Sequence, residues 1–182
     1  MKRLFVFGVA MAGAIAAFCC RASEPAQADF VFRRADYFHR WSQGNQHEFT
    51  PTGQEDLDKW SDMITVNAYP DVDEGDSLAE AANKVLENYK SHQARVLKTD
   101  SVPRTPDRPA EHLIAVVFER RDFTEVAFAR FKLVEGNGYS FVYSHRIYGA
   151  KTGEPMSAWL SANGDEVEKA WMEWKPPPAL LH

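Results

Sequence analysis

The sequence predicts an α+β fold, an antiparallel β-sheet flanked by two long helices. Three observations carry the prediction. Residues 112–148 hold three extended segments joined by short turns, the mark of a meander. Apolar residues recur at steps of three and four over Leu78–Tyr89 and again over Met156–Trp174, so each stretch forms a helix with one stripe to bury. Helices that each carry a single apolar stripe lie on a sheet, and this order of elements is a sandwich rather than a doubly wound parallel sheet.

The chain opens on a different physical principle. Lys2 and Arg3 precede a run of 17 apolar or small residues, Leu4–Cys20, and Ala26-Gln27-Ala28 follows a short polar stretch. A charged start, an apolar core and small residues three and one before a cut are the parts of a secretory signal peptide, with cleavage expected after Ala28 or earlier at Ala22. Two rival readings are a retained anchor, for which the run is short of the roughly 20 residues a span needs, and lipid on Cys19 or Cys20. The lipid reading lacks the small residue wanted before the cysteine. Removing Lys2, Arg3, Arg21 and Glu24 from 21 basic and 26 acidic residues leaves 18 and 25, a net charge near −7. Both cysteines leave as well, so the remainder carries no disulfide, thiolate nucleophile or cysteine-bound metal. The acidic balance argues against nucleic acid or anionic lipid as partner. Residues 29–175 suffice for one core and read as one domain, with 176–182 as a proline-rich tail.

Along that domain, Tyr37, His39 and Trp41 alternate with Phe38 and Arg40, Gly44-Asn45 offers a turn, and His47–Phe49 resumes the extended pattern. Thr52-Gly53-Gln54-Glu55 has capping-box spacing and predicts a short helix ending by Lys59. Trp60, Asp62, Ile64, Val66 and Ala68 share one face of a strand that Tyr69-Pro70-Asp71 closes. Asp71–Asp76 is an acidic loop, and Ser77 is the expected N-cap of the first long helix, with Glu80 three residues on. Ala94–Thr99 is a short strand, and the three prolines of 101–109 make a loop. LIAVVF (113–118) is a central strand. Arg121-Asp122 then turns into a strand with Phe123, Glu125, Ala127, Ala129, Phe131 and Leu133 on one face. After Gly136-Asn137-Gly138, Tyr139, Phe141, Tyr143, His145 and Ile147 alternate with Ser140, Val142, Ser144, Arg146 and Tyr148. The last helix starts at Glu154-Pro155, is open to division at Gly164, and stops at Pro176–Pro178.

With Phe49-Thr50-Pro51, a strand through Ile64–Val66, the helix Ser77–Tyr89, the meander and the final helix in this order, residues 36–175 resemble the Mog1/PsbP-like fold. They also resemble small exported proteins of Gram-negative bacteria. The resemblance implies an antiparallel sheet flanked by helices and, for most members, a binding or accessory role. It carries no site residues over to this chain.

Candidate chemistry is sparse. Ser144-His145-Arg146-Ile147-Tyr148 ends a strand, and Arg146 and Tyr148 alternate to the same face, suited to an anionic or carbohydrate-like ligand. Arg paired to a carboxylate at a sheet end is the structural alternative. Trp174, near the end of the last helix, is the tryptophan expected to be partly exposed, and exposed aromatics mark interfaces. His145, Arg146, Tyr148 and Trp174 are therefore the candidate binding residues. His39, His47, His112 and the acids of 71–76 show no metal-ligand spacing, and Asp71-x-Asp73-x-Gly75 is not a calcium loop because its glycine falls at the fifth position. The sequence lacks the G-x-S-x-G turn, H-E-x-x-H and a glycine-rich phosphate loop. Ser144 and His145 cannot pair as neighbours on one strand, since adjacent side chains point to opposite faces. The expectation is an exported, non-catalytic binding or accessory module, without cofactor, whose partner is an envelope protein or a second copy. The alternative is a small hydrolase using histidine and carboxylate.

Overall fold

A computed structural model describes residues 27–181, so the expected signal segment and both cysteines lie outside the described residues, apart from Gln27 and Ala28. The strands are β1 (Phe30–Phe32), β2 (Ala35–Gln43), β3 (Gln46–Pro51), β4 (Asp62–Tyr69), β5 (Arg95–Val102), β6 (Glu111–Glu119), β7 (Phe123–Val134) and β8 (Asn137–Tyr148); the helices are α1 (Gly75–Ser91) and α2 (Gly153–Glu173). The eight strands form one sheet in the order β1-β2-β3-β4-β8-β7-β6-β5, and all its pairs are antiparallel. Two four-stranded meanders thus meet at β4 and β8. α1 carries the chain from β4 to the far edge at β5, and the second meander works back to the middle.

Each helix covers one face. Alternation along β8 places Tyr139, Phe141 and Tyr143 toward α2, where they pack with Phe30, Phe32, Ile64, Val66, Phe128, Met156, Val167 and Trp171. The other phase faces α1, and Leu78 and Ala82 of that helix press on Ile114, Val116, Ala127, Ala129, Phe131 and Val142. That second apolar patch is narrow. It spans β6, β7 and part of β8, so α1 sits over that half and leaves the β4 side of the same face uncovered.

Several turns follow local chemistry. Glu135 and Gly136 both take positive φ (52° and 82°), as a two-residue hairpin turn needs. Gly138 has no room for a side chain, because a Cβ there would collide with Val72 Cγ1 and Cβ. α2 runs unbroken through Gly164, where an added Cβ would meet Leu160 Cδ2 at an ordinary 3.7 Å.

Three expectations change. Residues 52–59 form turns and loop rather than a helix, because the side chains that would cap a helix hold a loop instead. Glu55 Oε1 accepts from the Gly53 N–H at 3.0 Å and pairs with Arg40 at 3.3 Å. Gln54 Oε1 accepts from the Ser61 and Asp62 N–H groups at 2.7 and 2.8 Å, and Thr50 donates to the Gln54 carbonyl. α1 begins two residues before Ser77, with Glu74 as N-cap. The Ser77 hydroxyl accepts from the Glu74 N–H at 3.3 Å, the reverse of the usual residue order. The proline tail is part of the domain: a short 3-10 turn at Pro178–Leu180 buries Leu180 in the α2-side core, and Tyr139 Oη donates to the Leu181 carbonyl at 2.9 Å.

Candidate functional site

The four candidate binding residues do not form one site. His145 faces α2 and Arg146 and Tyr148 face the α1 side, as strand alternation requires. Trp174 caps the end of α2 and is half-buried, stacked on Trp171 (centroids 5.0 Å, 10°) and packed on Phe30 and Phe141.

Arg146 is held on all sides. Its Nη2 and Nε donate to Glu125 Oε2 at 2.8 and 3.2 Å, and its Nη1 donates to Tyr148 Oη at 3.3 Å. The guanidinium plane lies between two rings, 3.9 Å from the Trp60 centroid and 4.0 Å from that of Phe123. A planar cation with a carboxylate at its fork and aromatics on both faces is desolvated and neutralised within the protein. Tyr148 Oη in turn donates to the Trp60 carbonyl at 2.9 Å. The pair therefore fastens the 52–61 loop to the end of β8.

His145 belongs to a different cluster. The β4–β8 register sets Asp62 directly opposite His145 and Ile64 opposite Tyr143. His145 Nδ1 donates to Asp62 Oδ1 at 3.0 Å, Tyr143 Oη donates to the same oxygen at 2.7 Å, and Ser61 Oγ donates to Oδ2 at 3.0 Å. The imidazole stacks flat on Trp159 of α2, 4.1 Å between centroids. Burial alone pushes the Asp62 carboxyl up. The hydrogen bonds from His145 and then Tyr143 outweigh it, so the group titrates below the ordinary aspartate value. Tyr143 moves the other way, its phenol pushed well up by burial and by the Asp62 charge beside it.

One concave feature of the α1 face is the space that helix leaves open. A cleft of about 490 Å³ runs between α1 and the uncovered strands, within the size range of small-molecule sites. Its floor is polar: Thr65 and Asn67 of β4, and Ser140 and Ser144 of β8. Val85, Asn88, Tyr89 and His92 of α1 form one wall, and Phe118, Phe123 and Glu125 close one end. Ser140 Oγ accepts from Asn67 Nδ2 at 3.0 Å and lies 3.1 Å from Tyr69 Oη. Burial pushes the Tyr89 phenol well up, helped by Tyr69 and Glu125; burial also raises Tyr69, against the opposing hydrogen bond with Ser140. Both phenols therefore stay neutral. At the rim Glu125 is paired with Arg146, and the exposed Arg120 donates through Nη2 to the His92 carbonyl at 3.0 Å.

The sequence reading missed this cleft. Its one legible signal was the small polar residues Ser140 and Ser144 among the aromatic and apolar residues of 139–144. Among the described residues no three His, Cys, Asp or Glu side chains gather as metal ligands, and no helix is long and apolar enough to cross a membrane.

One protein-family model matches residues 25–171. The chain belongs to that family. The match takes in all eight strands, α1 and most of α2. No curated protein sequence matches the chain. Among solved structures it is similar to the Saccharomyces cerevisiae Ran-binding protein Mog1p, at 11% identity over 79% of this chain and 88% of that one, TM-score 0.49. It is similar also to a Mog1 point mutant, at 12% identity over 75% and 82%, TM-score 0.49.

Proposed function

We propose that this chain is an exported, non-catalytic binding protein, and that its ligand is an uncharged, carbohydrate-like molecule held in the cleft beside α1. One observation carries the reading: a polar floor lies under aromatic and aliphatic walls, and the carboxylate among them, Glu125, is already bound to Arg146. Neutral hydroxyl-bearing ligands are recognised by amides and hydroxyls, with an apolar ring face against aromatic side chains. Asn67, Asn88, Thr65 and Ser144 offer the first, and Tyr89, Phe118 and Phe123 the second. Of the two ligand classes that suited the Arg146 strand end, the anionic one loses its support, because the guanidinium is neutralised by Glu125.

The test is titration of the full chain with neutral and anionic oligosaccharides, followed by calorimetry. Neutral sugars are expected to bind saturably, and Asn67→Ala and Asn88→Ala each to weaken binding about three- to tenfold, the worth of one hydrogen bond. Binding of anionic sugars alone, or affinity unmoved by both variants, overturns the reading.

A hydrolase is the second reading, and it draws on the Asp62–His145 pair, in which a carboxylate orients an imidazole as in acyl-transfer sites. Turnover of a chromogenic ester that His145→Gln abolishes would replace the binding reading with this one.

A further inference from the structure

Two imidazoles and a hydroxyl converge near the turn of the β2–β3 hairpin. Ser42 Oγ lies 2.6 Å from His39 Nε2 and 2.8 Å from His47 Nδ1. Ser42 and His47 are direct cross-strand partners. His39 stands three residues before Ser42, and in a regular strand that odd spacing puts two side chains on opposite faces. A bulge between His39 and Trp41 inserts one extra residue and turns both to the same face. Re-aiming a side chain is what such bulges do, and here the aimed groups are ring nitrogens.

The geometry points to a metal site: we propose that His39 and His47, with Ser42 Oγ between them, bind a divalent transition ion of the zinc or copper type. Imidazole nitrogen suits these ions, whereas magnesium and calcium take oxygen donors. A serine hydroxyl has one proton and can donate to just one of the two rings, so the second ring must supply its own N–H. An ion at the same point takes a lone pair from both. Tetrahedral bonds of about 2.0–2.1 Å place neighbouring ligand atoms about 3.3 Å apart, so the two nitrogen–oxygen separations have to open by about 0.5–0.7 Å. His39 and Ser42 are exposed and His47 is half-buried, which leaves an entry path and room for water to complete the coordination. His39 is steadied edge-on against the buried Phe49, centroids 5.3 Å apart. Its backbone N–H donates to Asp29 Oδ2 at 2.7 Å, which ties this stretch of β2 to the start of the domain. The cluster is on the α2 side of the sheet, so it stands independently of the cleft.

The test is calorimetric titration with zinc chloride, with magnesium chloride as control, on the full chain carrying C19S and C20S so that no thiolate competes. One zinc ion is expected to bind where magnesium does not, with affinity falling more than about tenfold in His39→Ala and in His47→Ala. His47→Gln, which keeps a hydrogen-bonding side chain beside Ser42, should lose zinc equally and guards against a folding effect. In spectra of chain labelled with ¹⁵N at histidine, zinc should shift His39 Nε2 and His47 Nδ1. Equal zinc affinity in the parent and these variants, or shifts confined to other histidines, overturns the proposal.

Discussion

Replacing Arg130 with methionine should be among the most damaging single changes to this domain. Arg130 is 4% exposed and Glu111 6%, on the neighbouring strands β7 and β6. The guanidinium donates through Nε to Glu111 Oε2 at 2.7 Å and pairs with it through Nη2 at 2.6 Å. Its Nη1 donates to the carbonyls of Trp171 and Trp174 at 2.9 and 2.7 Å, satisfying the end of α2. Arg130→Met therefore strips a buried carboxylate of its main partner and orphans two helix carbonyls, while Lys132 at 3.5 Å from Glu111 offers partial relief. Breaking a buried pair from one side costs about 3–5 kcal/mol. For a domain of this size 1 kcal/mol moves Tm by about 2–4 °C, so a fall of about 10 °C is expected by calorimetry. The double variant Arg130→Met, Glu111→Leu should recover part of that loss, since no buried carboxylate is left unpaired while the two carbonyls stay orphaned. A single variant within 1 °C of the parent, or a double variant no better than the single, would refute the reasoning.

Three further outcomes are expected. Asp62→Asn should cost about 2 kcal/mol near neutral pH, because Asp62 accepts three hydrogen bonds as an anion. Its pKa in the folded state is depressed, so its contribution is present above the unfolded value of about 3.9 and is lost as pH falls through the lower folded value. Urea melts of parent and variant should therefore converge below about pH 4, and a constant gap down to pH 2 would count against the assignment. Gly138→Ala should destabilise by about 1–3 kcal/mol through the collision with Val72, and Val72→Ala in the same chain should relieve part of it; a neutral Gly138→Ala would show the contact is loose. Trp159→Ala, which removes the ring stacked on His145, should cost about 1–2 kcal/mol in urea melts, and an unchanged midpoint would show that the 4.1 Å stack carries no stability.

The resemblance of pattern between sequence and structure is uneven for physical reasons. Where one face of an element is wholly buried, residue type reports it. The alternation of Tyr139, Phe141 and Tyr143 with Ser140, Val142 and Ser144 gave the correct two faces of β8. The 52–59 helix failed because capping-box spacing is shared with tight loops, and the choice is made by Arg40 and Ser61, which belong to other elements. The arginine at 130 stood inside an apolar strand without a visible partner, since Glu111 is 19 residues away and meets it only across the β6–β7 ladder.

Local chemistry alone, acting over a few residues, determined the meander, both amphipathic helices, the proline loop, the charge balance and the opposed facing of His145 and Arg146. Tertiary structure decided what no short stretch of chain encodes. Strand register set Asp62 opposite His145 and Glu125 within reach of Arg146, and a single bulge turned His39 toward Ser42. The narrow apolar patch on β6, β7 and β8 held α1 to one side and left the cleft open. Register and helix placement are fixed by the summed packing of many distant side chains, so they exist only once the sheet has closed.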